Sequence, residues 1–256
     1  MPVIVKGRYI DNNKPLVCVP IVETTKEAIL SRTRDLVDSD VEMLEWRADF
    51  YEDLADIEKV KSLLETMRGL TKDTVLVVTI RSLAQGGQCK FSPLEISNTL
   101  VSMSGVHAAD FIDVEFFTFE KPERLIKKLQ ERGALVITSH HDFRETPEES
   151  VMMTLLEQMK EGDADIVKLA VMPREVSDVL SLLKVTDLFR KENPSIPVVT
   201  MSMGRMGMIS RIAGEIFGSC ITFGSVGALS APGQMPREEL ERVLSFIHKY
   251  YGDKNE

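Results

Sequence analysis

Lys168 lies in Asp163-Ala-Asp-Ile-Val-Lys-Leu-Ala-Val-Met172, a run that otherwise reads as a buried parallel strand. An unpaired ammonium in such a run is costly, so burial favours the neutral amine. A neutral amine can attack a ketone or aldehyde and form a Schiff base. A lysine at a strand end can also snorkel to water or pair with an acid, which requires no chemistry of it. The preceding strand ends Ser139-His-His-Asp142 and brings two imidazoles into question. His141 is in phase with Leu135, Ile137 and Ser139, and His140 points the other way while the strand persists. A histidine beside a buried lysine is a candidate for proton transfer, whereas a lone surface histidine has no such task.

Other strand ends carry polar groups as well. In Val41-Glu-Met-Leu-Glu-Trp-Arg47, period two puts Val41, Met43, Glu45 and Arg47 on one face and Leu44 and Trp46 on the other. Glu45 and Arg47 could pair with each other, or offer an acceptor and a cation to a polyhydroxylated acid. Arg81 ends the next strand, and Asp113 and Glu115 share a face of the one after. Arg211 follows a later strand, and Ser230 and Gln234 stand in the final loop, Gly227-Ala-Leu-Ser-Ala-Pro-Gly-Gln-Met-Pro236. Gly and Pro interrupt regular structure here, and the loop from Ser225 to Pro236 is expected to act as a lid with Gln234 as its working contact. A metal site built from His140, His141, Asp142, Glu45 and Glu115 is the rival reading. The sequence has no H-x-H or H-E-x-x-H pattern, and one Lys and three Arg at the same mouth would oppose a dication. The expectation is no metal and no cofactor.

Eight elements must position these groups. Candidate strands lie near Leu16–Pro20, Val41–Arg47, Val75–Arg81, Phe111–Glu115, Ala134–Ser139, Asp165–Ala170, Pro197–Met201 and Cys220–Phe223. They recur roughly every 30 residues, as βα units do. The predicted fold is an α/β, (β/α)₈ barrel with an N-terminal β-hairpin over Val3–Ile10, forming a single domain over residues 1–256. In such a barrel the carboxyl ends of the strands carry the chemistry. Ser92-Pro93-Leu94-Glu95 and Thr146-Pro147-Glu148-Glu149 read as capped helix starts, and Thr25 repeats the cap without proline. Gly133 and Gly162 are expected to stop helices in the left-handed conformation. An open doubly wound sheet would need a Gly-rich phosphate loop after an early strand, and none is present.

At 256 residues, 43% hydrophobic and 28% charged, the chain has the composition of an ordinary globular protein. A net charge of -9 argues against binding nucleic acid. With no apolar run long enough to span a bilayer and no signal peptide, the expectation is a cytoplasmic protein without membrane contact. Cys18, Cys89 and Cys220 form no C-x-x-C pair, so reduced thiols are expected, with Cys18 and Cys220 as core filler.

Glu45-Trp46-Arg47, Thr79-Ile80-Arg81-Ser82, Asp113-Val114-Glu115-Phe116, Ser139-His140-His141-Asp142-Phe143, Lys168-Leu169-Ala170-Val171-Met172-Pro173, Ser210-Arg211 and Ser230-Ala231-Pro232-Gly233-Gln234 stand in this order. Together they resemble type I 3-dehydroquinate dehydratase, from roughly residue 15 to the C-terminus. The resemblance implies a metal-free barrel lyase of the shikimate pathway, commonly a homodimer, acting on the small molecule 3-dehydroquinate. It matches Lys168 to the Schiff-base lysine and His141 to the general acid/base. Glu45, Arg47, Arg81, Arg211, Ser230 and Gln234 match substrate-binding positions. Two residues depart from the pattern. Gln85 stands where some relatives have Glu near the catalytic histidine, which puts the tuning of His141 in question. Pro20 stands where some have Ser, which removes a hydroxyl. A class I aldolase would use the same imine on the same fold, but phosphate recognition would favour Gly-rich backbone donors over Arg211. A barrel kept only for binding would be expected to have lost Lys168 or His141.

Overall fold

The structure, a computed structural model, describes residues 3–227 and 231–252. The chain opens with an antiparallel hairpin, β1 (Val3–Val5) and β2 (Arg8–Ile10), in which Val3 pairs with Ile10. Eight parallel strands follow: β3 (Leu16–Ile21), β4 (Met43–Arg47), β5 (Val75–Thr79), β6 (Phe111–Glu115), β7 (Leu135–Asp142), β8 (Ile166–Val171), β9 (Val198–Ser202) and β10 (Ile221–Ser225). Between them run α1 (Lys26–Asp38), α2 (Ile57–Leu70), α3 (Pro93–Ser104), α4 (Pro122–Gln130), α5 (Glu149–Glu161), α6 (Val176–Glu192) and the short α7 (Met208–Ile212) and α8 (Gly214–Phe217). A two-residue strand, β11 (Met235–Pro236), precedes α9 (Arg237–Tyr251). The sheet order β11-β10-β3-β4-β5-β6-β7-β8-β9 curls until β9 meets β10. This is the expected (β/α)₈ barrel with its N-terminal hairpin.

Period-two alternation divides the apolar residues into an inner and an outer core. Cys18, Met43, Val75, Val77, Phe111, Ile137 and Ile166 pack inside the barrel, where Val5 and Ile10 of the hairpin join them. Leu44, Trp46, Leu76, Val78, Ile112 and Val114 face outward under the helices. Three inner rows turn polar toward the carboxyl end: Met43 leads to Glu45 and Arg47, Phe111 to Asp113 and Glu115, Ile137 to Ser139 and His141. The apolar half of the barrel therefore fixes the register of the polar half. Val41, expected on the inner face, packs in the outer cluster instead, because the strand begins only at Met43 and alternation does not extend back to it.

The seam between β9 and β10 is not a continuous ladder. It is closed by one isolated bridge, Val198 to Ser219, and the Cys220 N–H donates to Val198 O at 2.8 Å. Further along, side chains replace strand partners. The Ser219 hydroxyl accepts from Thr200 N–H at 3.1 Å, and the Ser210 hydroxyl accepts from Ser202 N–H at 2.9 Å. On the other side, the Thr222 hydroxyl donates to Arg211 O at 2.8 Å. Helix α7 is thus held between the strand ends, and Arg211 is delivered to the mouth from this gap.

Helix boundaries bear out some of the expected signals. Ser92 and Glu95 form the full capping box of α3, and Thr25 caps α1 by accepting from Ala28 N–H. Thr146 does not cap α5: the helix starts at Glu149, Glu148 occupies the cap position, and the Thr146 hydroxyl is buried without a hydrogen-bond partner among the described residues. The residue before a proline disfavours helical geometry, and here the extended segment continues past Pro147. Gly133 has the expected positive φ of 83°. Gly162 does not, since its φ is -72° and the left-handed residue is Asp163 at 67°. Gly162 serves close approach instead, because a Cβ there would lie 2.3 Å from the Phe116 ring. Among the described residues no helix is long and apolar enough to cross a membrane. Cys18, Cys89 and Cys220 are free and buried.

Candidate active site

The carboxyl ends of the strands enclose a pocket of about 470 Å³, counting its open mouth. Seven of the expected site residues line it: Glu45, Arg47, Arg81, His141, Lys168, Arg211 and Gln234. Ser230 lies outside the described residues. Pro20 is buried in β3 opposite Glu45.

Lys168 is only 5% exposed, but it is not alone in an apolar strand. Its Nζ stands 3.7 Å from Glu45 Oε1 and 3.5 Å from Asp113 Oδ2, and it lies over the Phe223 ring at 4.5 Å. The sequence argument assumed an unpaired lysine, and that assumption fails because β4 and β6 direct their carboxylates at the same point. Two anions and an aromatic face stabilise positive charge at this nitrogen, whether it is an ammonium or a protonated imine. Asp113 Oδ2 has no hydrogen-bond partner among the described residues, so its nearest interaction is with the lysine.

The other charges are distributed unevenly. Glu45 accepts from the Thr79 hydroxyl at 2.8 Å. Arg47 does not pair with Glu45. Its Nε and Nη2 bind the two carboxylate oxygens of Asp49 at 2.9 and 2.8 Å. Arg81 lies two residues beyond β5, yet its Nη2 reaches Asp113 at 2.9 Å and its Nη1 reaches Ser139 at 2.9 Å and Glu115 at 3.2 Å. Burial alone would lower its pKa, but the Asp113, Glu115 and Glu45 carboxylates outweigh that and raise it. Burial likewise opposes ionisation of Asp113, but Arg81, Lys168 and Ser139 hold its carboxyl below the usual value.

Arg211 differs from all of these. It is 1% exposed, its Nη2 donates to Pro232 O at 2.9 Å, and its Nε has no partner among the described residues. No carboxylate pairs with it among those residues. Burial pulls its guanidinium down to about 10, which leaves it cationic at neutral pH. A buried planar cation with donors to spare suits an entering carboxylate.

β7 extends through Asp142, past its predicted end at Ser139, so the alternation reaches both histidines. His141 lines the pocket, while the His140 ring packs edge-on against Phe117 at 5.3 Å. In the β7–β8 register Ser139 is opposite Lys168 and His141 is opposite Ala170, so His141 stands one inward step above the lysine. Burial, with Arg81, Lys168 and Arg47 nearby, holds its pKa well below the ordinary 6.5. It is therefore a neutral imidazole, able to take a proton, at neutral pH.

Gln85 approaches His141 from a short 3₁₀ turn, Leu83–Gln85, which ends at Gly86 with φ 80°. A Cβ on Gly86 would fall 2.4 Å from the Phe143 ring, so only glycine permits this fold-back. The Gln85 side-chain oxygen lies 2.9 Å from His141 N and 3.2 Å from its Nδ1. Sequence reasoning assigned no role to Asp49, Asp113, Ser139 or Phe223. The inward phase of Asp113 and Ser139 was a readable signal, whereas Phe223 under the lysine was not. Among the described residues no group of three or more His, Cys, Asp or Glu side chains could hold a metal ion.

A parallel barrel whose carboxyl-end pocket gathers a buried lysine, an inward histidine and an arginine without a carboxylate partner among the described residues has the arrangement of a barrel enzyme. The chain is a member of the type I 3-dehydroquinase family, whose model matches residues 17–251. It is 38% identical over 246 residues to the 3-dehydroquinate dehydratase of Clostridioides difficile (strain 630), covering 96% of each chain. The crystal structure of 3-dehydroquinate dehydratase from Geobacillus kaustophilus HTA426 matches with a TM-score of 0.94 at 32% identity, over 98% of both chains. That of the type I enzyme from Clostridium difficile, carrying covalently modified comenic acid, matches with a TM-score of 0.93 at 38% identity, over 97% of this chain and 98% of the other.

Proposed function

We propose that this chain dehydrates 3-dehydroquinate to 3-dehydroshikimate, a step of the shikimate pathway, through an imine on Lys168 with His141 as general acid and base. The observation that carries the reading is the convergence on one pocket of Lys168, His141 and an Arg211 that no carboxylate among the described residues pairs with. The amine of Lys168 adds to the substrate ketone, and loss of water gives a protonated imine. Glu45 and Asp113, within 3.7 and 3.5 Å of Nζ, stabilise that cation. The imine accepts the electron pair when His141 takes the proton from the adjacent carbon. The resulting enamine expels the β-hydroxyl, which leaves as water once His141 returns a proton. Hydrolysis of the conjugated imine releases product and restores the amine. General acid–base catalysis of this kind is typically worth about 10²–10⁴-fold.

Arg211 binds the substrate carboxylate. Glu45 and Arg47 orient the ring hydroxyls, and Arg81 holds Asp113 and Glu115 in place. Gln234 closes over the substrate from the last loop, and Ser230 is proposed to join it. The chain works as one barrel domain without metal or cofactor, in the cytoplasm, as a homodimer.

Reduction with borohydride in the presence of 3-dehydroquinate, followed by peptide mass spectrometry, tests the reading. One reduced ligand mass is expected on a peptide containing Lys168. His141→Ala is expected to retain this adduct while turnover falls about 10²-fold or more. An adduct on another lysine, or none with active enzyme, would sink the assignment.

A further inference from the structure

The contacts around Gln85 determine more than its position. A backbone N–H can only donate, so the Gln85 atom 2.9 Å from His141 N must be the amide oxygen. The opposite end of the amide gives the same answer independently. Glu115 Oε1 accepts from Ser82 N–H at 2.8 Å and from Arg81 Nη1 at 3.2 Å, which anchors the carboxylate. Its Oε2 accepts the Thr118 hydroxyl proton at 3.0 Å. With its proton committed, the Thr118 oxygen accepts, so the Gln85 atom 3.3 Å away is the NH₂ group. Both ends therefore fix the same amide orientation. His141 Nδ1, 3.2 Å from that same amide oxygen, has only an acceptor to face and must carry the proton.

We propose that Gln85 is a positioning residue that holds His141 as the Nδ1–H tautomer, leaving Nε2 as the basic nitrogen, and does so without lending it negative charge. One oxygen accepts from both the backbone and the ring of the same residue, which also restrains the ring's rotation. The remaining charged groups acting on the imidazole are Arg81 beyond β5, Lys168 on β8 and Arg47 on β4, with His140 beside it on β7. The carboxylates of Glu45, Asp113 and Glu115 at the same mouth pair with Lys168 and Arg81. A neutral amide leaves this cation-rich field uncompensated at the ring, so the imidazole stays neutral to lower pH than it would beside a carboxylate.

The proposal rests on the proposed reaction for its kinetic arm only, because the tautomer is read without substrate. Nitrogen-15 NMR of the ring, with His141 assigned by its loss in His141→Ala, should show a protonated Nδ1 and an unprotonated Nε2 in the wild-type protein. Gln85→Leu should give mixed tautomers, with kcat down about 10–100-fold and KM within about threefold. Gln85→Glu should keep the tautomer and retain activity, and should move the acid limb of kcat to higher pH because a carboxylate stabilises the imidazolium. A protonated Nε2 in the wild type, or an acid limb unmoved in Gln85→Glu, would overturn the proposal. Both measurements remain available if Gln85→Leu fails to fold. Wild-type protein with the predicted tautomer but no turnover of 3-dehydroquinate would instead overturn the proposed reaction alone.

Discussion

Arg81 and Arg211 are both buried at the same mouth, but only Arg81 is neutralised. Arg81 compensates two carboxylates that are themselves buried, Asp113 and Glu115. Removing it would leave Glu115 without its cation and Asp113 with Lys168 alone, and breaking a buried pair costs about 3–5 kcal/mol. Arg211 has a backbone carbonyl and a thioether beside it and no anion among the described residues. Its desolvation is uncompensated until a ligand enters, so the folded apo protein carries the cost. Arg81→Met should therefore destabilise the fold by about 3–5 kcal/mol. Arg211→Met should leave stability unchanged or raise it, while KM rises about 10–100-fold from loss of a charge-assisted contact worth about 1.5–3 kcal/mol. Denaturant unfolding alongside steady-state kinetics separates the two. Equal destabilisation by both would contradict the contrast drawn here. Their places at and after strand ends marked both residues, but which of the two is neutralised depends on β6 arriving beside β5, and no local pattern encodes that.

Among the helices, signals completed within four residues were readable, and those that depended on a neighbouring element were not. Ser92 and Glu95 satisfy each other locally, and the cap forms as expected. Thr146 sits in a stretch whose path is set by contacts such as Met172 N–H to Glu145 O, so the local cap signal loses to tertiary pairing. Gly162 follows the same rule, since the Phe116 ring, not the helix end, requires a glycine there. Even β7 extends past its apolar run into polar Ser139–Asp142, because β8 supplies ladder partners up to Val171. Ser92→Ala should cost about 1 kcal/mol, as loss of a working cap does. Thr146→Ala should stay within about 0.5 kcal/mol, because the buried hydroxyl it deletes makes no hydrogen bond among the described residues. Thermal unfolding of the two variants reads the difference directly, and a Thr146 loss as large as that at Ser92 would mean that its hydroxyl caps the helix in solution.

Over the whole barrel, eight βα units were countable because each strand is apolar and β-branched and each helix is amphipathic, but the way the sheet closes was not. Closure joins Val198–Ser202 to a strand that starts at Ile221, and the join departs from the regular ladder. Hydroxyls of Ser219 and Ser210 take the N–H groups of Thr200 and Ser202 that an eighth regular pairing around the barrel would have taken. This substitution opens the space that α7 occupies, and α7 carries Arg211. The imperfect seam is thus what lets a buried cation reach the pocket from between two strands rather than from a strand end. Ser219→Ala removes the acceptor of a buried backbone N–H and should cost about 1–3 kcal/mol. The loss should be local to the seam: hydrogen exchange at Thr200 should quicken, while amides in the fully paired β4 and β5 keep their protection. Because α7 is anchored separately by Ser210 and Thr222, the catalytic rate at saturating substrate should change little. Uniform loss of protection across all eight strands would show that the barrel opens as one unit, with no weak seam between β9 and β10.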